Sequence, residues 1–133
     1  MSDHHAGHFT ILSGYPPDVL AIRAEGHLTG EDYRTVLVPR IEKMIAAEGR
    51  VKLLYELGPG FEGLSAGAVW EDARLGIWHL ADFARIAVVT DIGWIRAGLK
   101  LFVPLIPCPV QVFALEDRTE AAEWISAAIV DEA

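Results

Sequence analysis

At 133 residues and 52% hydrophobic content, the chain is long enough to build one domain around a core of its own. Its formal net charge of −8 excludes a general nucleic-acid binder, because phosphate backbones require clustered lysine and arginine. A single cysteine, Cys108, excludes an intrachain disulfide framework, and MSDHHAGH at the start has neither the basic residues nor the apolar run of a signal peptide. The longest apolar stretch, LFVPLIPCPV, is too short and too rich in proline to span a bilayer. The expectation is a soluble cytoplasmic protein.

Residues 1–8 read as a disordered polar tail, and 9–133 as one domain. Phe9–Ser13 and Val19–Glu25 have strand character. The turn cluster Gly14-Tyr15-Pro16-Pro17-Asp18 between them predicts a hairpin. Thr29 followed by Asp32 predicts a capped helix start, with Leu28 and Tyr33 as its hydrophobic staple. Val36, Leu37, Ile41, Met44 and Ile45 continue at helical spacing. Pro39 predicts a kink near Thr35–Val38, and Gly49 a left-handed cap.

Val51–Leu57 and Ala84–Thr90 are apolar runs of strand length, as in a parallel sheet buried on both faces. Between them lie a glycine-rich turn, Gly58–Gly63, and a helix. That helix's predicted core stripe is Ala66, Val69, Trp70, Ala73, Ile77 and Leu80, with Glu71 and Arg74 outside. Asp91 is placed to cap a helix over Ile92–Phe102. Pro104, Pro107 and Pro109 then break the chain before a last strand, Val110–Leu115. Asp117 and Glu120 repeat the capping arrangement before a terminal helix whose inner face is Trp124, Ile125, Ala128 and Ile129. The order β-β-α-β-α-β-α-β-α predicts an α/β fold with a mostly parallel sheet and an N-terminal antiparallel hairpin. Ligands in such sheets sit beyond the strands' C-terminal ends. That points to Glu56–Ser65, Thr90–Trp94 and Leu115–Asp117.

The phrases HLTGEDYRTVLVPRIE, LLYELGPGFEGLSAGAVWEDARLGIWHLADFARIAVVTDIGWIRAGLKLF and PLIPCPVQVFALEDRTEAAEWI resemble the small bacterial SpoIIAA-like proteins of the STAS/CRAL-TRIO class. The resemblance covers nearly the whole chain beyond the tail and implies a β-α superhelix. Relatives that share the architecture include phosphorylatable anti-sigma-factor antagonists and carriers of lipophilic ligands. By that resemblance Ser65 is the candidate phosphorylation site, although Leu64-Ser65-Ala66-Gly67 does not reproduce the Asp-Ser-Ser-Gly pattern of the antagonists. The plainer reading of Ser65 is a helix N-cap.

Gly58-Pro59-Gly60-Phe61-Glu62-Gly63 formally matches a dinucleotide fingerprint. Glu62 and the missing donor of Pro59 oppose it, and a plain glycine turn is the simpler account. Glu56, Glu62, Asp91, Glu116 and Asp117 would form an acidic rim, but without D-x-D spacing or a histidine they make no metal site. Cys108 reads as a small packed hydrophobe, and His27 and His79 are isolated, so no catalytic set can be assembled. If Met1 is removed, Ser2-Asp3-His4 offers an amine, two amides and the His4 imidazole, which suit Cu(II) or Ni(II) in vitro.

The segment Ile92–Ile106 carries two cations, Arg96 and Lys100, and no acid. Trp94, Leu101, Phe102, Val103, Leu105 and Ile106 supply more apolar surface than one buried stripe requires, and the first three with Leu105 are the expected lining of a site. The leading expectation is a non-catalytic module with no cofactor, binding a lipophilic small molecule or a membrane surface there. In that reading Arg96 and Lys100 face anionic head groups. The alternative is a regulatory protein-interaction domain of the anti-sigma-factor-antagonist type, switched at Ser65. A homodimer through the same helix and loop is expected with either.

Overall fold

The structure is a computed structural model that describes residues 7–65, 67, 68, 70, 74 and 80–127. Five strands form one sheet in sequential order: β1 (His8–Ile11), β2 (Val19–Leu28), β3 (Val51–Leu64), β4 (Phe83–Thr90) and β5 (Val110–Phe113). β1 runs antiparallel to β2, and every other neighbour pair is parallel. This is the predicted hairpin and mostly parallel sheet. Right-handed crossovers that always step in the same direction place their helices on one face.

The first crossover begins as predicted. Thr29 Oγ1 accepts from the Asp32 amide at 3.3 Å, and the Asp32 carboxylate accepts from the Thr29 amide at 2.8 Å. Helix α1 (Gly30–Asp32) passes through a π-helical turn, Tyr33–Leu37, into α2 (Val38–Glu48). The π turn lies where Pro39 predicts a kink. A proline ring clashes with the carbonyl four residues back, and the wider turn makes room for it. Gly49, at φ 82°, ends α2. Residues 67, 68, 70 and 74 are helical, and two further helices are α3 (Gly93–Phe102) and α4 (Arg118–Ser126).

Alternation along the strands divides the core in two. Leu20, Ile22 and Ala24 of β2 and Leu53, Tyr55 and Leu57 of β3 face the crossover helices. In that layer Phe9 meets Tyr33 and Tyr55 edge-on, and the two tyrosine hydroxyls are 3.0 Å apart. Val19, Ala21, Leu54, Ala87 and Val89 face the other way, against Ala121 and Ile125 of α4.

Several expectations are corrected. His8, placed in the tail by sequence, belongs to β1; β2 runs on to Leu28; and β5 stops at Phe113. Gly58–Gly63 is no turn between strand and helix. β3 continues through it, with Phe61, Gly63 and Leu64 opposite Gly26, His27 and Leu28 after an irregularity in register. Trp70 does not join the core stripe and is 65% exposed. Ala68 is the buried residue instead, and two positions correspond to about 200° around a helix, which turns Trp70 outward. Ala66, Val69, Glu71, Ala73, Ile77, His79, Ala128, Ile129 and His4 lie outside the described residues.

Candidate functional site

Helix α3 is seated by Ile92, Ile95, Leu99 and Ile106, which are half-buried against the crossover-side core. Its entry differs from the expected cap. The helix starts at Gly93 with Ile92 in the cap position, one residue too late for Asp91 to reach. Thr90 Oγ1 accepts the Ile92 amide at 3.1 Å, and the Asp91 carboxylate instead accepts the Leu115 amide at 3.0 Å, tying the ends of β4 and β5 together. Asp117 likewise makes no side-chain cap for α4.

With the inner stripe occupied, the outer side of α3 and the 3-10 turn Val103–Leu105 stands in water. Trp94 is 65% exposed, Leu101 75%, Phe102 61% and Leu105 75%. Together they present on the order of 500 Å² of apolar surface, toward the upper end of what a soluble monomer shows in one patch. Lys100 is exposed beside them. Arg96 is half-buried, and its guanidinium donates one N–H to the Thr90 carbonyl at 2.9 Å at the end of β4.

A second polar group occupies the other face of the same strand ends. The side chain of Glu56 is only 4% exposed, so it is not a solvated rim residue. Its Oε2 accepts from Arg23 Nε at 2.5 Å, and its Oε1 meets Arg118 Nε at 3.2 Å. The bond to Glu56 raises the Arg23 guanidinium further above its ordinary range. Burial, and then the negative charge of Glu56, push the Tyr15 phenol up. The sequence reading missed Arg23 and Arg118. Their signal was the alternation itself, since Arg23 and Glu56 are partners across the β2–β3 register.

The rest of the predicted rim does not converge. Glu62, Asp91 and Glu116 are exposed, and among the described residues no group of three His, Cys, Asp or Glu is placed to hold a metal ion. Gly60 of the formal fingerprint lies against the Glu25 carboxylate, 3.2 Å from where a Cβ would stand, so the bulge faces an acid that would repel a phosphate. Ser65 is half-buried; its hydroxyl accepts the Ala68 amide at 3.0 Å and its own amide donates to the Leu28 carbonyl. Cys108 is buried, and burial raises its thiol pKa. No described helix is long and apolar enough to cross a membrane.

The sequential sheet, the one-sided crossovers and the returning α4 agree with a family comparison in which the SpoIIAA-like model matches residues 19–126. The chain belongs to the SpoIIAA-like family. Among solved structures, this SpoIIAA-like chain is similar to an uncharacterized protein with a SpoIIAA-like fold from Shewanella loihica. The two are 28% identical with a TM-score of 0.68, over 94% of this chain and 98% of that one. A search of curated proteins finds no match.

Proposed function

We propose that this SpoIIAA-like domain is a non-catalytic interaction module that docks another protein surface through the outer side of α3 and the Val103–Leu105 turn. The observation that carries the reading is the double-sided apolar character of this segment. Ile92, Ile95, Leu99 and Ile106 already seat it, and Trp94, Leu101, Phe102 and Leu105 are left over in water. Exposed aromatic and aliphatic anchors of this kind are what protein interfaces bury at their centres.

Charge decides between protein and membrane. A basic side chain near an anionic leaflet is worth about 1 kcal/mol. Arg96, one of whose N–H groups is spent on the Thr90 carbonyl, and Lys100 are the two cations this segment offers, on a chain of net charge −8. Electrostatics therefore favour a neutral protein surface over lipid head groups.

A photo-crosslinking residue in place of Leu101, compared with one at exposed Gln111, tests the reading. Protein adducts at 101 and none at 111 are the expected result. Phospholipid adducts alone, or co-flotation with vesicles containing anionic lipid, would return the face to the membrane.

A further inference from the structure

We propose that the protein docked on this face is a second copy of the same chain, its α3 antiparallel to the first, about a two-fold axis beside Ala97 and Gly98. The proposal rests on the docking reading above and names its occupant.

Helical geometry supplies the shape. At about 100° per residue, Trp94, Gly98 and Leu101 fall on one side of α3, and Leu105 extends that line into the following turn. Gly98 sits midway, and beyond its chain neighbours and its own helix backbone no atom lies within 4 Å of where its Cβ would stand. The ridge is therefore large at one end, small in the middle and large at the other. In an antiparallel copy about that axis the small residues Ala97 and Gly98 meet each other and let the two backbones approach closely, while on either side Trp94 of one chain packs against Leu101 of the other.

The charge distribution points to the same occupant. Two chains of −8 each repel one another over most approaches. Ile92–Ile106 has no acidic residue, so this is a face on which they can meet without bringing carboxylates together. Lys100 lies on one flank of the ridge and Arg96 on the side turned away from it, toward Thr90, and the antiparallel arrangement opposes the two helix dipoles favourably.

The area fits a modest affinity. Two such patches remove on the order of 1,000 Å² from water, near the lower bound for a specific interface. The dissociation constant expected is on the order of 1–100 µM. At low concentration the chain is a monomer.

Sedimentation equilibrium of the full chain across the micromolar range tests this directly. The expected mass rises from 14.6 kDa toward twice that value. Leu101→Glu should weaken association at least tenfold while circular dichroism stays unchanged. Independently, Ala97→Cys sits beside the axis and should oxidise to a covalent dimer, whereas Gln111→Cys should not. A mass that stays at the monomer value throughout, together with no crosslink through Ala97→Cys, overturns the proposal. So does a dimer indifferent to Leu101→Glu. If the Leu101 photo-crosslinker then captures only a different protein, the docking reading survives and self-association falls; lipid adducts alone remove both.

Discussion

Lys52 and Glu56, four residues apart on one face of β3, hold opposite ends of α4. Lys52 Nζ donates to the Ala127 carbonyl at 3.0 Å and pairs with Asp18 at 3.2 Å, while Glu56 meets Arg118 at the helix start. The helix runs antiparallel to the strand, so a cation sits at its carbonyl end and an anion at its amide end. Arg85 strengthens the carbonyl end: it donates to the Trp124 and Ala127 carbonyls and lies 5.3 Å from the Trp124 ring centroid. These polar ties add to the apolar contact that α4 makes through its fully buried Ala121 and Ile125.

Glu56→Gln should therefore cost more than removing either arginine. It removes the negative charge shared by two partly exposed guanidinium groups and turns one accepting oxygen into an NH2 that faces a donor, and about 1–3 kcal/mol is expected after allowing for their solvent access. Arg118→Ala, at a more exposed pair, should cost no more than about 1 kcal/mol. Urea denaturation checks the order; equal losses for the two variants would contradict it.

Ser65→Ala should destabilise by about 1 kcal/mol, because the Ala68 amide loses its acceptor. Ser65→Asp should keep most of that stability, since a carboxylate can cap in the same place. Thermal melts of the three proteins would decide, and Asp behaving as badly as Ala would sink the capping account.

Two glycines should respond with opposite signs. A Cβ on Gly30 would stand 3.1 Å from the backbone carbonyl group of Gly67, so Gly30→Ala should lose about 1–3 kcal/mol through crowding. Gly98→Ala meets open space in a helix interior and should gain up to about 1 kcal/mol, read on dilute monomer.

Alkaline pH should loosen the fold. Burial raises the Cys108 thiol above its ordinary value of 9.0, and burial with Glu56 raises the Tyr15 phenol above 10.0. The unfolded chain therefore gives up these protons first. Their stabilisation is complete below the ordinary values and is lost as pH climbs through the raised ones. Urea midpoints from pH 8 upward should fall, and a Cys108→Ala, Tyr15→Phe variant should fall less steeply. Parallel curves for the two proteins would rule this source out.

The sheet and the capped first helix were legible in the sequence because periodicity and cap chemistry act over a few residues. Thr29, Asp32, Pro39 and Gly49 each act where they were expected to. The glycine run misled because Gly58 and Gly60 look alike in a turn and in a bulged strand; only pairing with Gly26–Leu28 distinguishes them. Trp70 misled because burying Ala68, two positions away, fixes the helix's rotation. The surplus around Trp94 was visible as composition. What Arg96 does with its charge was not, because the Thr90 carbonyl it serves becomes a neighbour only once β4 and α3 have folded.

Because α4 follows β5 in the chain it is translated after all five strands, and it covers Leu54, Ala87 and Val89 on the face opposite the crossovers. A ribosome-bound chain can thus assemble its sheet and first layer while the opposite surface is still bare. A stop codon placed just before Arg118 would release a product with that greasy strip permanently uncovered, a natural substrate for chaperones and quality-control proteases.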